Sequence, residues 1–258
     1  MSSTVVILAA ALFLASVIQT AMGFGVKFAL LPLMLVLYPK DDTVVVLLAL
    51  GLLVNFLILA LGGSRPRVDP RGLAVLLLWT LPGVLIGIRL LGLLSGRALQ
   101  ASAGVMVLCM VCGRLRPWLG RGHPHPWLRR RSYRRMRPTQ MPAIAGLAGG
   151  VFTATTSLNG PLVSAHLLSR HVQGRALRDQ TVAYALGANI LAVALLLLRG
   201  SVDLSAVSGA LTWMLPVALV GFAVGRVAFK VIRGRRYEPV VMTAVGAAGA
   251  LALALAII

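Results

Sequence analysis

Residues 141–170 read MPAIAGLAGGVFTATTSLNGPLVSAHLLSR. The stretch is apolar for longer than one bilayer crossing needs, which is about 20 residues. It is interrupted by Thr155-Thr156-Ser157-Leu158-Asn159-Gly160-Pro161. Glycine and proline at such positions break or turn a helix. The stretch therefore predicts a helical hairpin whose tip lies inside a membrane. Residues 4–38 repeat the pattern, interrupted by Gly23-Phe24-Gly25 and followed by Lys27 and Pro32.

The rest of the chain fits a membrane reading. Of 258 residues, 59% are hydrophobic and 12% charged, where a soluble domain carries about 25% charged residues. Further apolar runs cover 43–61, 72–95 and 98–113 in the first half, and 180–198, 205–226 and 239–258 in the second. They are runs of Leu, Ala, Val and Gly, not ten-residue alternations, so helices and not a barrel satisfy the backbone in lipid. The amino terminus carries no basic residue before its first apolar run and reads as a retained membrane segment rather than a signal peptide.

The halves repeat at a constant offset of 134 residues. Trp79, Pro82 and Gly87 then fall on Trp213, Pro216 and Gly221, Asn55 falls on Asn189, and Val68-Asp69 falls on Val202-Asp203. Shared Leu or Ala would mean little in this composition, but tryptophans followed by Pro and Gly at identical spacing are informative. The expected division is repeat 1 over 1–113, a basic loop over 114–138 with nine arginines, and repeat 2 over 139–258.

The charge pattern decides the topology. The formal charge is +19, from 25 basic and 6 acidic residues. With the loop 114–138 placed inside and each half opening on one plain crossing, the basic residues divide 13 inside to 11 outside. With each half opening on a re-entrant hairpin, they divide 20 to 4, Lys27 lying in the membrane. Cytoplasmic loops hold the excess of Lys and Arg, so the hairpin arrangement is favoured. The predicted fold is an all-α, polytopic integral membrane protein of two inverted repeats. Each has a broken, re-entrant hairpin plus three transmembrane helices, with both termini outside. This is the plan of many secondary transporters.

The hairpin tips are the candidate site. Gly160-Pro161 suits a helix start, with Asn159 or Ser157 as its cap. Freed N–H groups and the positive helix end favour an anion. Gly23 and Gly25 would act alike from the other face, and Lys27 adds a full charge within a turn. Thr155, Thr156, Ser157 and Asn159 supply neutral hydrogen bonds. Each reading has a plainer rival. Glycines permit tight helix packing, polar side chains satisfy one another, and Lys27 could snorkel. His166 is either a proton carrier or a satisfied polar group near a helix end. Asn55 and Asn189 reach the cavity or join helices. Trp79, Trp213, Pro82 and Pro216 read as packing anchors and kinks.

Other chemistry is weakly signalled. Cys109 and Cys112 are spaced C-x-x-C inside an apolar run and read as small fillers. His123 and His125 are two ligands in a loop, too few for a metal site. No cofactor motif is read, no phosphate-binding G-x-x-x-x-G-K-[ST] is present, and nucleic acid is an unsuitable partner for a chain without a soluble fold. An intramembrane enzyme would need H-E-x-x-H or paired membrane carboxylates, and neither occurs. His166 shares a helix neighbourhood with Ser164 and Ser169, which leaves that class open, as does an assembly factor without a substrate. Partners are a small anion and the lipid bilayer. Proton or ion coupling and oligomeric state are not fixed.

Gly23-Phe24-Gly25-Val26-Lys27 with Pro32, and Ser157-Leu158-Asn159-Gly160-Pro161-Leu162, in two apolar halves, resemble the sulfite exporter TauE/SafE family over nearly the whole chain. Relative to that family the glycine runs are thinned, with Phe24, Lys27 and Asn159 among the differences. The resemblance implies a bacterial plasma-membrane permease for sulfite, an organosulfonate or a related sulfur-containing anion.

Overall fold

The chain breaks where glycine, proline and polar residues interrupt its apolar runs. In the computed structural model, which describes residues 3–22, 26–62, 66–102, 104–105, 140–172, 174–200 and 202–231, every described element is a helix. The first half gives α1 (Ser3–Met22), α2 (Val26–Leu37), α3 (Lys40–Ala60) and α4 (Pro70–Leu93). The second gives α5 (Gln140–Thr156), α6 (Gly160–Ser169), α7 (Gly174–Arg199) and α8 (Leu204–Val231). Residues 96–102 are also helical. Four helices are long and apolar enough to cross a membrane: Lys40–Ala60, Pro70–Leu93, Gly174–Arg199 and Leu204–Val227. Leu78, Leu85, Leu198, Val220 and Val227 stand exposed on them, as lipid-facing side chains do. The run 239–258, the loop 114–138 with His123 and His125, both cysteines, Gly23 and Gly25 lie outside the described residues.

The expected interruption of 141–170 occurs at Ser157–Asn159. In the run 4–38, α1 ends at Met22 and α2 starts at Val26, and the residues of the expected interruption lie outside those described. The second break is fully resolved in its bonding. Ser157 adopts φ +59°, the left-handed conformation that often ends helices. Leu158 N–H reaches back to Phe152 O at 3.2 Å and Ser157 N–H to Thr153 O at 3.1 Å. Ser157 Oγ donates to Val44 O of α3 at 3.3 Å, tying the break to a neighbouring helix. The short arm α6, of 10 residues, is about 15 Å long, half of a hydrocarbon core.

The repeated Asp residues have a repeated job. Asp69 is the N-cap of α4 and accepts from Arg71 N–H at 3.1 Å, with Pro70 in the first turn. Asp203 accepts from Ser205 N–H at 2.9 Å, Ser205 Oγ at 2.7 Å and Ala206 N–H at 3.3 Å at the start of α8. The Ser205 hydroxyl and these two amides hold the Asp203 carboxyl below its ordinary range.

The packing partners interchange when the halves interchange. α4 lies against α5 and α8 against α1, α3 crosses α7, α4 touches α7 as α8 touches α3, and α2 meets α3 as α6 meets α7. Small residues make the tightest crossings. A Cβ on Gly83 would lie 2.2 Å from Leu147 O, and one on Gly87 2.7 Å from Val151 O. A Cβ on Gly221 would lie 2.8 Å from Phe13 O, and one on Gly225 2.8 Å from Val17 O. Phe13 and Val17 match Leu147 and Val151 at the sequence offset, whereas that offset matches Gly87, not Gly83, to Gly221. By packing, α8 is therefore advanced one turn relative to α4, a register that the Trp-Pro-Gly alignment does not carry.

Side-chain bonds between loops and helices define the two ends. At one end Lys40 Nζ donates to Gly92 O at 3.1 Å and Leu94 O at 2.8 Å, Arg199 Nη1 donates to Ile88 O at 2.9 Å, and Asp42 accepts from Asp203 N–H at 3.0 Å. At the other, Asp179 accepts from Arg67 N–H at 3.0 Å. There Gln180 accepts from Asp69 N–H at 2.7 Å and donates to Asp69 O at 3.2 Å. The start of α3 thus meets the end of α7, and the start of α7 meets the segment just past the end of α3, so the two run antiparallel. Pro142 and Arg170, at the two ends of the α5–α6 pair, line one cavity together with Arg67 and Arg71. The start of α5 and the end of α6 therefore lie at the same end of the helix bundle.

Candidate functional site

Asn189 is the centre of the polar interior. It lies mid-way along α7, wholly buried. Its Oδ1 accepts from Lys27 Nζ at 3.1 Å and from Asn159 Nδ2 at 3.2 Å. Lys27 stands in the first turn of α2, just past one break, and Asn159 immediately precedes α6 at the other. The bonds therefore bring both breaks onto one side chain of a spanning helix, although Lys27 and Asn189 are 162 residues apart.

The site's electrostatics are unusual for a membrane interior. Lys27 is 7% exposed, and among the described residues its polar partner is the neutral Asn189. No carboxylate is paired with it there. Asn189 Nδ2 is buried without a hydrogen-bond partner among the described residues. Two donors on Oδ1 fix the amide's orientation, since a flipped amide would direct N–H groups at an ammonium. A buried amide N–H left unmade costs about 1–3 kcal/mol, and an intramembrane charge costs more. The cluster is thus rich in donors and short of acceptors, an arrangement that an anion completes.

Gly51 of α3 makes room for it. A Cβ there would lie 2.6 Å from Lys27 Cε and 2.8 Å from Asn189 Nδ2. One turn along α3, Gln19 Nε2 of α1 donates to Asn55 Oδ1 at 2.9 Å. The equivalent asparagines therefore hold different partners: Asn55 takes a neutral amide and Asn189 the cation. Arg178 Nη2 donates to Thr20 O, in the last turn of α1, at 2.6 Å, so a second cation reaches the end of the first broken helix. Gln19 and Gly51 were invisible as site residues from spacing alone, and Arg178 counted only toward topology. Gln19 carries a sequence signal, being a polar residue inside an apolar run.

Several expectations need correction. Asn159 occupies the N-cap position of α6 but makes no capping bond, because its amide is turned to Asn189. Thr155 Oγ1 donates to Val151 O at 2.9 Å, Thr156 Oγ1 to Phe152 O at 3.0 Å and Ser157 Oγ to Val44 O. Their hydroxyl hydrogens face backbone carbonyls, as Ser and Thr commonly do in helices, and are not donors aimed at a ligand. Gly160 begins α6 as predicted, and Ser164 Oγ donates to Gly160 O.

His166 is separate from the Lys27 cluster. It lies seven positions beyond Asn159, about 10 Å along α6, and lines the cavity at the arginine-bearing end, about 810 Å³ in volume. Among the described residues no group of three His, Cys, Asp or Glu side chains converges to hold a metal.

Residues 8–252 match the family described as Sulfite exporter TauE/SafE. No curated protein and no solved structure matches the chain.

Proposed function

The chain belongs to the sulfite exporter TauE/SafE family, and from that premise we propose that it is a secondary transporter carrying a small sulfur-containing anion, sulfite or an organosulfonate, by alternating access. One observation carries the proposal: Lys27 is buried at the meeting of the two helix breaks with no carboxylate partner among the described residues. A permanent ion pair would satisfy this charge and leave nothing for a ligand. A buried cation with unengaged amide hydrogens beside it is instead completed by each anion that arrives. The bound anion takes Lys27 Nζ, Asn189 Nδ2 and Asn159 Nδ2 as donors, with α6 starting beside it.

The test is flux. Purified protein in sealed liposomes is expected to move radiolabelled sulfite faster than protein-free vesicles, saturably, and with the solute chemically unchanged. Rates equal to protein-free vesicles for sulfite, sulfate, ethanesulfonate and acetate alike would sink the transport reading. Asn159→Ala removes one donor to the anion. A hydrogen bond to a charged group contributes about 1.5–3 kcal/mol, so sub-saturating flux is expected to fall about 10- to 100-fold at unchanged expression. Wild-type flux in that variant would remove Asn159 from the site.

Alternating access follows from two halves inserted in opposite senses, with the arginine-bearing end cytoplasmic and the plasma membrane of a bacterium as the setting. The interchange of packing partners, the antiparallel α3 and α7, and the shared cavity wall of Arg67, Arg71 and Arg170 support this arrangement. With Cys109 and Cys112 replaced by alanine, cysteines introduced at Arg67 and Arg170 are expected to react with an impermeant maleimide only after permeabilisation. One introduced at Ser205 is expected to react without it. Labelling of Arg67→Cys and Arg170→Cys from opposite faces would be incompatible with the arrangement.

A further inference from the structure

We propose that the cavity at the arginine-bearing end is a second anion site, distinct from the Lys27 cluster, where a small organic oxyanion waits before reaching the membrane interior. The cavity holds about 810 Å³, within the roughly 300–1,000 Å³ range of small-molecule sites. Arg67, Arg71 and Arg170 line it, from the α3–α4 connection, the start of α4 and the end of α6. Among the described lining residues the one carboxylate, Asp69, is engaged in capping α4, and the arginines are in excess.

Surface arginines alone would be a topology signal. The second observation is His166. It is 8% exposed, it lines the cavity, and its ring makes no hydrogen bond among the described residues. A polar ring open to the cavity offers a hydrogen-bonding group to whatever fills it, ligand or solvent. Leu76 and Leu167 form an apolar wall beside it. Cations at the rim, one polar ring inside and an apolar wall suit an oxyanion on a short hydrocarbon body better than a bare ion.

The position of this cavity relative to the Lys27 cluster gives it a role. α6 and α7 both run between the two, from Arg170 to Asn159 and from Gln180 to Asn189. The interval is closed by buried Val163, Leu167, Tyr184 and Ala188, with Leu76 of α4. Tyr184 OH lies 2.8 Å from Thr80 Oγ, which ties this layer to α4. An anion in the cavity is thus held one apolar layer away from Lys27. The site itself stands on its own geometry, and its role as a waiting position rests on the transport reading.

Equilibrium binding of radiolabelled ethanesulfonate to the full chain in discs of neutral lipid tests both. Wild type is expected to bind two per chain. Lys27→Met is expected to retain one, and Arg71→Gln with Arg170→Gln is expected to retain the other. Val75→Trp, which fills the cavity and leaves its charges, provides the same readout if the arginine variant does not fold. In liposomes the arginine variant is expected to raise the half-saturating concentration about tenfold at an unchanged maximal rate, because local anion concentration falls. One site per chain, lost with Lys27→Met and insensitive to the arginine and Val75 changes, overturns the proposal and leaves the transport reading intact. Arginine-dependent binding that survives Lys27→Met supports the cavity site even if the Lys27 reading fails. Arginine-dependent binding abolished by anionic lipid in the discs identifies a lipid-headgroup site and overturns the waiting role.

Discussion

Lys27→Met is expected to abolish measurable flux while leaving the protein as stable as wild type, or more so. Methionine keeps the unbranched stem that passes Gly51 and removes only the charge. At about 4 Å and an effective dielectric near 20, a cation and an anion attract by about 4 kcal/mol. Its loss lowers affinity by about 10³-fold, so sub-saturating transport falls below the leak of the vesicles. The stability expectation has the opposite sign from that of an ordinary core residue. Lys27 is buried beside neutral amides without a carboxylate among the described residues. Replacing it with an apolar side chain relieves desolvation rather than breaking a pair. Thermal unfolding in detergent, with and without sulfite, separates the cases. The site reading requires wild type to be stabilised by sulfite and Lys27→Met to gain clearly less from it, keeping only the share contributed by the arginine-bearing cavity, from an equal or higher starting midpoint. A variant that melts well below wild type would make Lys27 a structural residue and remove the central support for an anion site there.

The parts of this site that were legible in the sequence are those encoded by exceptions to an apolar background. Lys27, Asn55, Asn189 and the Asn159-Gly160-Pro161 turn stand out because lipid tolerates few such residues. The two interruptions emerged from length alone, since no single helix spans 30 apolar residues across one bilayer. Contacts formed across sequence were not legible. Gly51 matters because Lys27 and Asn189 converge on it from other helices, and no local pattern separates it from other glycines. The hydroxyls of Thr155 and Thr156 read in the sequence as ligand donors, but each donates to the carbonyl one turn back, a local competitor that composition conceals. His166 was grouped with the tip by proximity in sequence, although seven residues of helix carry it two turns away. The one-turn advance of α8 was hidden for a related reason: Trp79 and Trp213 report repeat ancestry, whereas Gly83 and Gly221 report which residues touch.

Gly83→Val is expected to cause the largest loss of stability of any single glycine replacement in the described core. A Cβ at position 83 would lie 2.2 Å from Leu147 O and 2.9 Å from Leu147 C. These are backbone atoms of α5, so no rotamer change relieves the contact and the two helices must part. The same interface is closed from the other side by Gly150, whose Cβ would lie 2.3 Å from Thr80 O. Separation therefore also strains Thr80, which bonds Leu76 O at 2.8 Å and Gly146 O at 3.3 Å and lies beside Tyr184 OH. Overpacking costs about 1–3 kcal/mol where side chains can adjust, and a backbone clash falls at or above the top of that range. Gly209 provides the control, because a Cβ there meets nothing within 4 Å. In a helix interior, replacing glycine with alanine gains roughly 0.5–1 kcal/mol. Gly209→Ala is thus expected to be neutral or stabilising in the same thermal assay in which Gly83→Val loses most of its folded protein. If Gly83→Val melted with wild type, α4 and α5 could not be in the close contact that positions Tyr184 and, through α7, Asn189.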